Sequence, residues 1–336
     1  MQAGSVKATP PLPLVPVGKA VAVTVIMGLV IAIFPLLPVL VIPFLGLPLA
    51  HVVARWGVPS GAMVAVITAA LVYAGVGPSA AVLVFLLLLG VGMVVGWAVR
   101  KSWRFGRSLA LATAGALAAL AVSGVVMWLA FGVDLTWLKE VAYSSIDDAA
   151  AQYTQLGMSV TTAQSAAAQM RDIVDIVPYL SPGLLAMGSI LLAVCSLGLA
   201  YALFPRLRDK VAVDWSLSGF RMHWAVAYVS IAGLAMLLFS RGDGTFRTVL
   251  LYAGVNLLLV SQTLFFVEGL AVARWFIVDR HLRRGARVAI YIGAVLGQVL
   301  FQLTGLVGLF DTWVDYRKRF ALKSPGAGSP GNINKE

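Results

Sequence analysis

The sequence predicts an all-α protein, a polytopic transmembrane helical bundle of eight or nine spans with an amphipathic helical insertion on the outer face. Three observations predict it. Of the 336 residues, 60% are hydrophobic and 12% charged, against roughly 25% charged in a soluble domain. Mean hydropathy is +0.92. The apolar residues also gather into blocks close to the ~20 residues that a helix needs to cross a hydrocarbon layer of ~30 Å.

Nine blocks run in order: 17–34, 36–54, 59–75, 80–99, 109–131, 182–204, 223–239, 248–278 and 288–310. The first follows a Pro-rich stretch carrying Lys7, with no small-residue cleavage site, and reads as a retained span rather than a signal peptide. Pro38, Pro43, Gly46 and Pro48 interrupt the second. It reads as a broken or re-entrant helix, tolerated where neighbouring protein shields its backbone. The third to fifth blocks are clean. The sixth holds Cys195, the only cysteine, so neither an intrachain disulfide nor a thiolate metal cluster can form. The eighth, 31 residues long, would run roughly 46 Å and so project beyond the hydrocarbon core.

Basic loops set the orientation. Arg100, Lys101, Arg104 and Arg107 mark one joint, Arg206, Arg208, Lys210 and Arg221 a second, and Arg280, Arg283, Arg284 and Arg287 a third. All three share one parity and read as cytoplasmic. The 132–179 loop sets six acids against Lys139 and Arg171, which suits the outer face. The N-terminus is then cytoplasmic and the location the inner membrane. A ninth span would carry Arg317, Lys318 and Arg319 outward, against the rule. A hairpin near Gly305 and Gly308 would remove the conflict, but the reading adopted is nine spans.

The predicted organisation is a cytoplasmic tail (1–16), N-terminal membrane helices (17–131), the outer insertion (132–179), C-terminal membrane helices (180–320) and a disordered tail (321–336). Within the insertion, Ile146, Ala150, Tyr153, Val160, Ala163, Ala167, Met170, Val174 and Val177 recur at helical spacing, giving one or two amphipathic helices broken at Gly157. They would cap the outer mouth of the bundle or lie in the headgroup plane.

Polar residues at bilayer depth are where chemistry would reside. Asn256 and Gln262 of the eighth block and Gln298 and Gln302 of the ninth fall at matching depths, and the last two, four apart, would share a helical face. They read either as a hydrogen-bonding patch for a small polar solute or as interhelical glue. Glu268, twenty residues beyond Thr248, reaches the cytoplasmic boundary, where water or Arg274 can satisfy it; these two form a candidate cytoplasmic rim. Gly92/Gly96, Gly293/Gly297 and Gly28/Ala32 offer small-residue faces for neighbouring helices or a partner membrane protein.

Several classes are excluded. His51, His223 and His281 sit on separate segments, ruling out a local zinc spacing. Asp147 and Asp148 are adjacent and point apart, so they make no acid/base pair. No nucleophile and base, phosphate loop or cofactor motif is found, and the protein is predicted not to be an enzyme. The net charge of +11 is spent at span ends rather than in an aromatic-interleaved patch, so nucleic acid is not an expected partner.

The run from Glu268 to Phe276, with Gly305-Leu-Val-Gly-Leu-Phe-Asp311-Thr-Trp-Val-Asp315-Tyr-Arg317-Lys-Arg319, resembles the YybS-like family of bacterial membrane proteins. The 44–50 and 55–57 segments fit the same pattern. Where that family more often has Gln, this chain has Glu268. The family in turn is distantly similar to substrate-binding subunits of energy-coupling-factor vitamin transporters, which implies small-molecule capture with a membrane partner and cytosolic ATPases. On the residues alone, Asp311 and Asp315 with the following basic cluster and Trp313 and Tyr316 make a membrane-exit anchor. The expected function is a solute-binding or transport-associated membrane subunit, set against a non-enzymatic scaffold in envelope assembly or cell division.

Overall fold

A computed structural model describes residues 13–34, 37–204, 217–242, 244–314 and 316–320. The terminal tails (1–12 and 321–336), Arg206, Arg208, Lys210 and Asp315 lie outside the described residues. Among those described the protein is helical with no strand. Seven helices are long and apolar enough to cross a membrane, and three shorter apolar helices accompany them. The chain is therefore an all-α polytopic bundle. By contact it divides into two compact units, Met1–Trp215 with Gly233–Val260, and Ser216–Ala232 with Ser261–Glu336.

The first unit begins with α1 (Leu14–Ile33). The Pro-interrupted second block forms two short helices, α2 (Pro38–Leu45) and α3 (Leu47–Trp56), joined at Gly46. Pro38 and Pro48 fall in first turns, where a missing N–H does no harm. Next come α4 (Val58–Gly75), α5 (Pro78–Leu87), a π turn at Leu88–Met93, α6 (Val94–Arg100) and α7 (Phe105–Phe131). Leu45, Leu49, Val52, Val53, Val64, Val72 and Leu88 form their shared core. Gly90, in the π turn, packs backbone to backbone on Gly115 of α7, where a Cβ on either would overlap the facing carbonyl.

The 132–179 insertion forms an antiparallel hairpin. Asp134 caps α8 (Leu135–Gln155) by accepting from the Trp137 N–H, and Ser159 caps α9 (Val160–Leu203) by accepting from the Thr162 N–H. Between them Gly157, at φ +99°, takes the positive-φ turn that glycine supplies without a Cβ penalty. The periodicity of the loop and its break at Gly157 thus match the structure. Asp175 of α9 accepts from Lys139 (2.6 Å) and Tyr143 (2.7 Å) of α8, and Arg171 pairs with Asp147. Those hydrogen bonds hold the Lys139 ammonium and the Tyr143 hydroxyl above their ordinary pKa values. No residue of α8 is buried.

The sequence separates insertion from sixth span at Pro182, whereas the structure joins them in one helix of 44 residues. Pro182 cannot donate to the Pro178 carbonyl, and the Ser181 hydroxyl donates there instead, at 2.8 Å. A rod of that length is roughly 66 Å long, so about half must stand outside a hydrocarbon core of ~30 Å.

Two helices, α10 (Ala225–Phe239) and α11 (Thr245–Asp279), contribute to both units. In the second unit the Ser230 and Ser261 hydroxyls join them by a buried hydrogen bond of 3.0 Å. The unit is completed by α12 (Arg284–Phe301), α13 (Leu303–Val314) and the short α14 (Tyr316–Phe320).

The single ninth span is corrected here. Gln302 takes a left-handed conformation, φ 54°, and ends α12. The chain then doubles back: the Thr304 hydroxyl donates to the carbonyl of Ala294, ten residues earlier, at 2.6 Å. On its return α13 crosses α11 so closely that a Cβ on Gly308 would overlap the Phe265 carbonyl and one on Gly269 the Thr304 carbonyl. Gly305 and Gly308 therefore serve close approach, not the turn. Further on, the Arg280 guanidinium donates to the Phe320 carbonyl at 3.3 Å. The basic run 317–319 thus ends beside Arg280, which removes the charge conflict of a ninth crossing.

Candidate functional site: a buried carboxylate–guanidinium cluster

The most concentrated polar chemistry lies in the second unit, where α11, α13 and α14 meet the 217–222 segment. Glu268 is 1% exposed, Asp311 7% and Arg317 4%, burial that acids and bases sustain only when paired. Arg317 Nη2 donates to Glu268 Oε1 at 2.5 Å and lies 3.1 Å from Asp311 Oδ2. Its Nη1 donates to the carbonyls of Phe220 (2.6 Å) and Ser218 (3.0 Å). Glu268 Oε2 accepts from the Met222 N–H at 2.9 Å, and Asp311 Oδ1 from the Tyr316 N–H at 2.9 Å. One guanidinium fork thus ties α11, α13 and an irregular segment together, while each carboxylate uses its second oxygen on backbone.

Local structure explains the arrangement. The Gly269/Gly308 crossing brings the backbones of α11 and α13 into contact, so that Glu268, one residue before Gly269, and Asp311, one turn after Gly308, face the same volume. Arg317, in α14, reaches both, and the Tyr316 N–H beside it donates to Asp311. The segment around the 3-10 turn at Leu217–Gly219 leaves carbonyls outside any α-helical ladder, and those of Ser218 and Phe220 accept from Nη1 of Arg317, whose Nε is buried without a hydrogen-bond partner.

A Glu268 satisfied by water or Arg274 is not what is observed: the carboxylate is enclosed and its charged partner is Arg317. Arg274 is half-buried and belongs to none of these bonds. The fork of Arg317, and its grip on the Ser218 and Phe220 carbonyls, are the features sequence reasoning missed. The signal available was that a carboxylate in an apolar helix demands a cation on its own face.

The amide residues do not form one cluster. In the first unit the Asn256 amide bridges α9: its Oδ1 accepts from the Gly183 N–H (2.7 Å) and its Nδ2 donates to the Tyr179 carbonyl (2.8 Å). Those two groups would bond each other in an unbroken helix, so Asn256 splints α9 beside Pro182. Its second N–H goes to the Tyr252 carbonyl, and Tyr179 stacks on Tyr252 at 4.5 Å. In the second unit Gln262 and Gln298 converge. Gln298 Oε1 accepts from the Gly305 N–H at 2.8 Å, and a Cβ on Gly305 would lie 3.1 Å from Gln262 Oε1 and 3.3 Å from Gln298 Oε1. Gln302 leaves the helical face predicted for it with Gln298, because its left-handed backbone forms the turn and its side chain is exposed.

Two open, mainly apolar clefts are present. One of about 480 Å³ in the first unit is lined by α1, α2, α3 and the end of α9, with Lys19 and His51 at its edge. The other, about 610 Å³, lies in the second unit between α11, α12 and α13. Both fall in the 300–1,000 Å³ range of small-molecule sites.

Comparison with known proteins returns one family. Residues 22–312 match the model described as Predicted membrane protein (DUF2232), an interval that takes in Glu268, Gly269, Gly308 and Asp311. No curated protein and no solved structure matches the chain significantly. With most of its length covered by that one model, including the helix crossing that builds the buried cluster, the chain belongs to the predicted membrane protein family DUF2232.

Proposed function

We propose that this protein is a non-enzymatic, solute-binding subunit of a transport assembly in the inner membrane, with both termini cytoplasmic. The observation that carries the reading is the interrupted α12/α13 pair. Helices broken within an apolar block, with side-chain amides at the break, are how many transporters present polar groups at bilayer depth. Here the break at Gln302 lies beside the Gln262 and Gln298 amides, which offer donors and acceptors to an uncharged or zwitterionic solute. A YybS-like identity and a likeness to energy-coupling-factor binding subunits would supply the membrane partner and ATPases, and the exposed apolar face of α12, which buries no residue, would receive that partner.

Thermal-shift screening of the purified chain against metabolites tests this. A solute that raises the midpoint of the wild type should lose its effect on Gln298→Leu, which removes the amide at similar volume, while the ligand-free midpoint moves by less than about 3 kcal/mol equivalent. Retained binding in a folded Gln298→Leu protein ends the assignment of the site.

A scaffold in envelope assembly is the second reading. It is favoured by Asn256, whose amide is consumed within the protein, and by the Gly90/Gly115 contact, which serves packing alone. Cysteines placed at Ser102, Ser159 and Ser329 in Cys195→Ala protein test the orientation common to both readings. Ser159 should label from outside, the other two only after permeabilisation. External labelling at 329 would refute a returning α12/α13 hairpin.

A further inference from the structure

We propose that the cleft between α11, α12 and α13 is a dedicated site for a membrane phospholipid with an anionic headgroup, one acyl chain lying in the cleft and the phosphate at Arg280. This goes beyond the solute reading and does not depend on it.

The cleft is unusual for where its small residues lie. The Gly293/Gly297 face of α12, which could have met another helix, lines open space instead: a Cβ on Gly293 would have no neighbour within 4 Å, and Gly297 meets only Leu303 and Thr304 at ordinary distance. The missing side chains create the volume. The opposite walls are apolar and half exposed, with Phe276 41%, Val307 41% and Leu303 52% exposed. Water would leave such a surface unsatisfied, whereas a hydrocarbon chain would cover it.

Length and charge identify the occupant. Along α11 the cleft runs from Gly269 to Arg280, eleven residues or roughly 16 Å, about half of a ~30 Å hydrocarbon core. That is the depth of one leaflet. It ends at Arg280, Tyr316 and Phe320, where Arg283 and Arg284 open α12 and Asp279 lies 3.5 Å from Arg280. The unpaired N–H groups of the first turn of α12 add positive potential there. A basic pocket between helices at the leaflet surface matches phosphate headgroups. In the orientation proposed above this is the cytoplasmic leaflet, where anionic lipids present their charge.

The test is native mass spectrometry of the full chain released from micelles containing equal phosphatidylglycerol and phosphatidylcholine with identical chains. Wild type should retain phosphatidylglycerol preferentially. Arg280→Gln should reduce that preference about fivefold, the effect of one basic group near the surface, without lowering phosphatidylcholine retention. Gly293→Leu, whose Cβ would have no neighbour within 4 Å and whose side chain would occupy the cleft, should lose both lipids while its thermal midpoint stays at or above that of wild type. Glycerol phosphate, a headgroup without chains, should not compete. Equal retention of the two lipids by wild type, unchanged retention by a folded Gly293→Leu protein, or displacement by glycerol phosphate would each overturn the proposal.

Discussion

Arg317→Met should destabilise the folded protein by about 3–5 kcal/mol, because it leaves two buried carboxylates facing each other with no cation. Glu268 and Asp311 are almost fully enclosed, and Arg317 is the cation that pairs with both among the described residues while also donating to the Ser218 and Phe220 carbonyls. Glu268→Gln should be milder, about 1–3 kcal/mol, since an amide keeps one acceptor and turns a donor toward either Met222 N–H or the guanidinium. Replacing all three by apolar residues, Glu268→Leu, Asp311→Leu and Arg317→Met, should recover part of the loss, as removing a whole buried ion cluster strands no charge. Thermal unfolding in detergent, followed by size-exclusion monodispersity, reads the series. A wild-type midpoint in Arg317→Met would show that the cluster contributes nothing to folding.

Gly308→Leu should be comparably disruptive, by a different route. The atom in its way is the Phe265 carbonyl, which is backbone and cannot rotate aside. Overpacking commonly costs about 1–3 kcal/mol where side chains can adjust, and here α11 and α13 must separate. Because Asp311 lies one turn beyond Gly308 in α13 and Arg317 in the helix that follows, separation also opens the ion cluster. Gly308→Leu and Glu268→Gln should therefore be strongly non-additive in a double-mutant cycle. Gly293→Leu, with open space at its Cβ, is the matched control and should leave the midpoint unlowered. Additivity within about 0.5 kcal/mol would mean that the crossing and the cluster are independent.

These two results concern a region that the sequence illuminated unevenly. Helical class, the helices of the 132–179 insertion and the break at Gly157 were legible because each depends on local signals: block length against bilayer thickness, 3.6-residue periodicity, and a glycine where φ must be positive. The partner of Glu268 was legible in part. Arg274 is six residues on, about 120° around the helix, so it could not share the face of Glu268. That geometry excludes Arg274, but nothing local selects Arg317 from the many remaining basic residues.

Other features depended on packing between distant segments. Whether the last apolar block crosses or returns is decided at one residue, Gln302, whose left-handed conformation carries no glycine signal and is held by the Thr304–Ala294 and Gly305–Gln298 hydrogen bonds that form only once the chain has turned. Pro182 reads as a helix start, yet α9 passes through it because Ser181 and Asn256, the latter 74 positions away, take over backbone groups near it. Composition and periodicity fix which segments become helices, since those energies are summed over neighbours in sequence. Which helices touch, which glycines are crossings and which amides are splints depend on contacts between residues tens of positions apart, and only the packed chain brings those together.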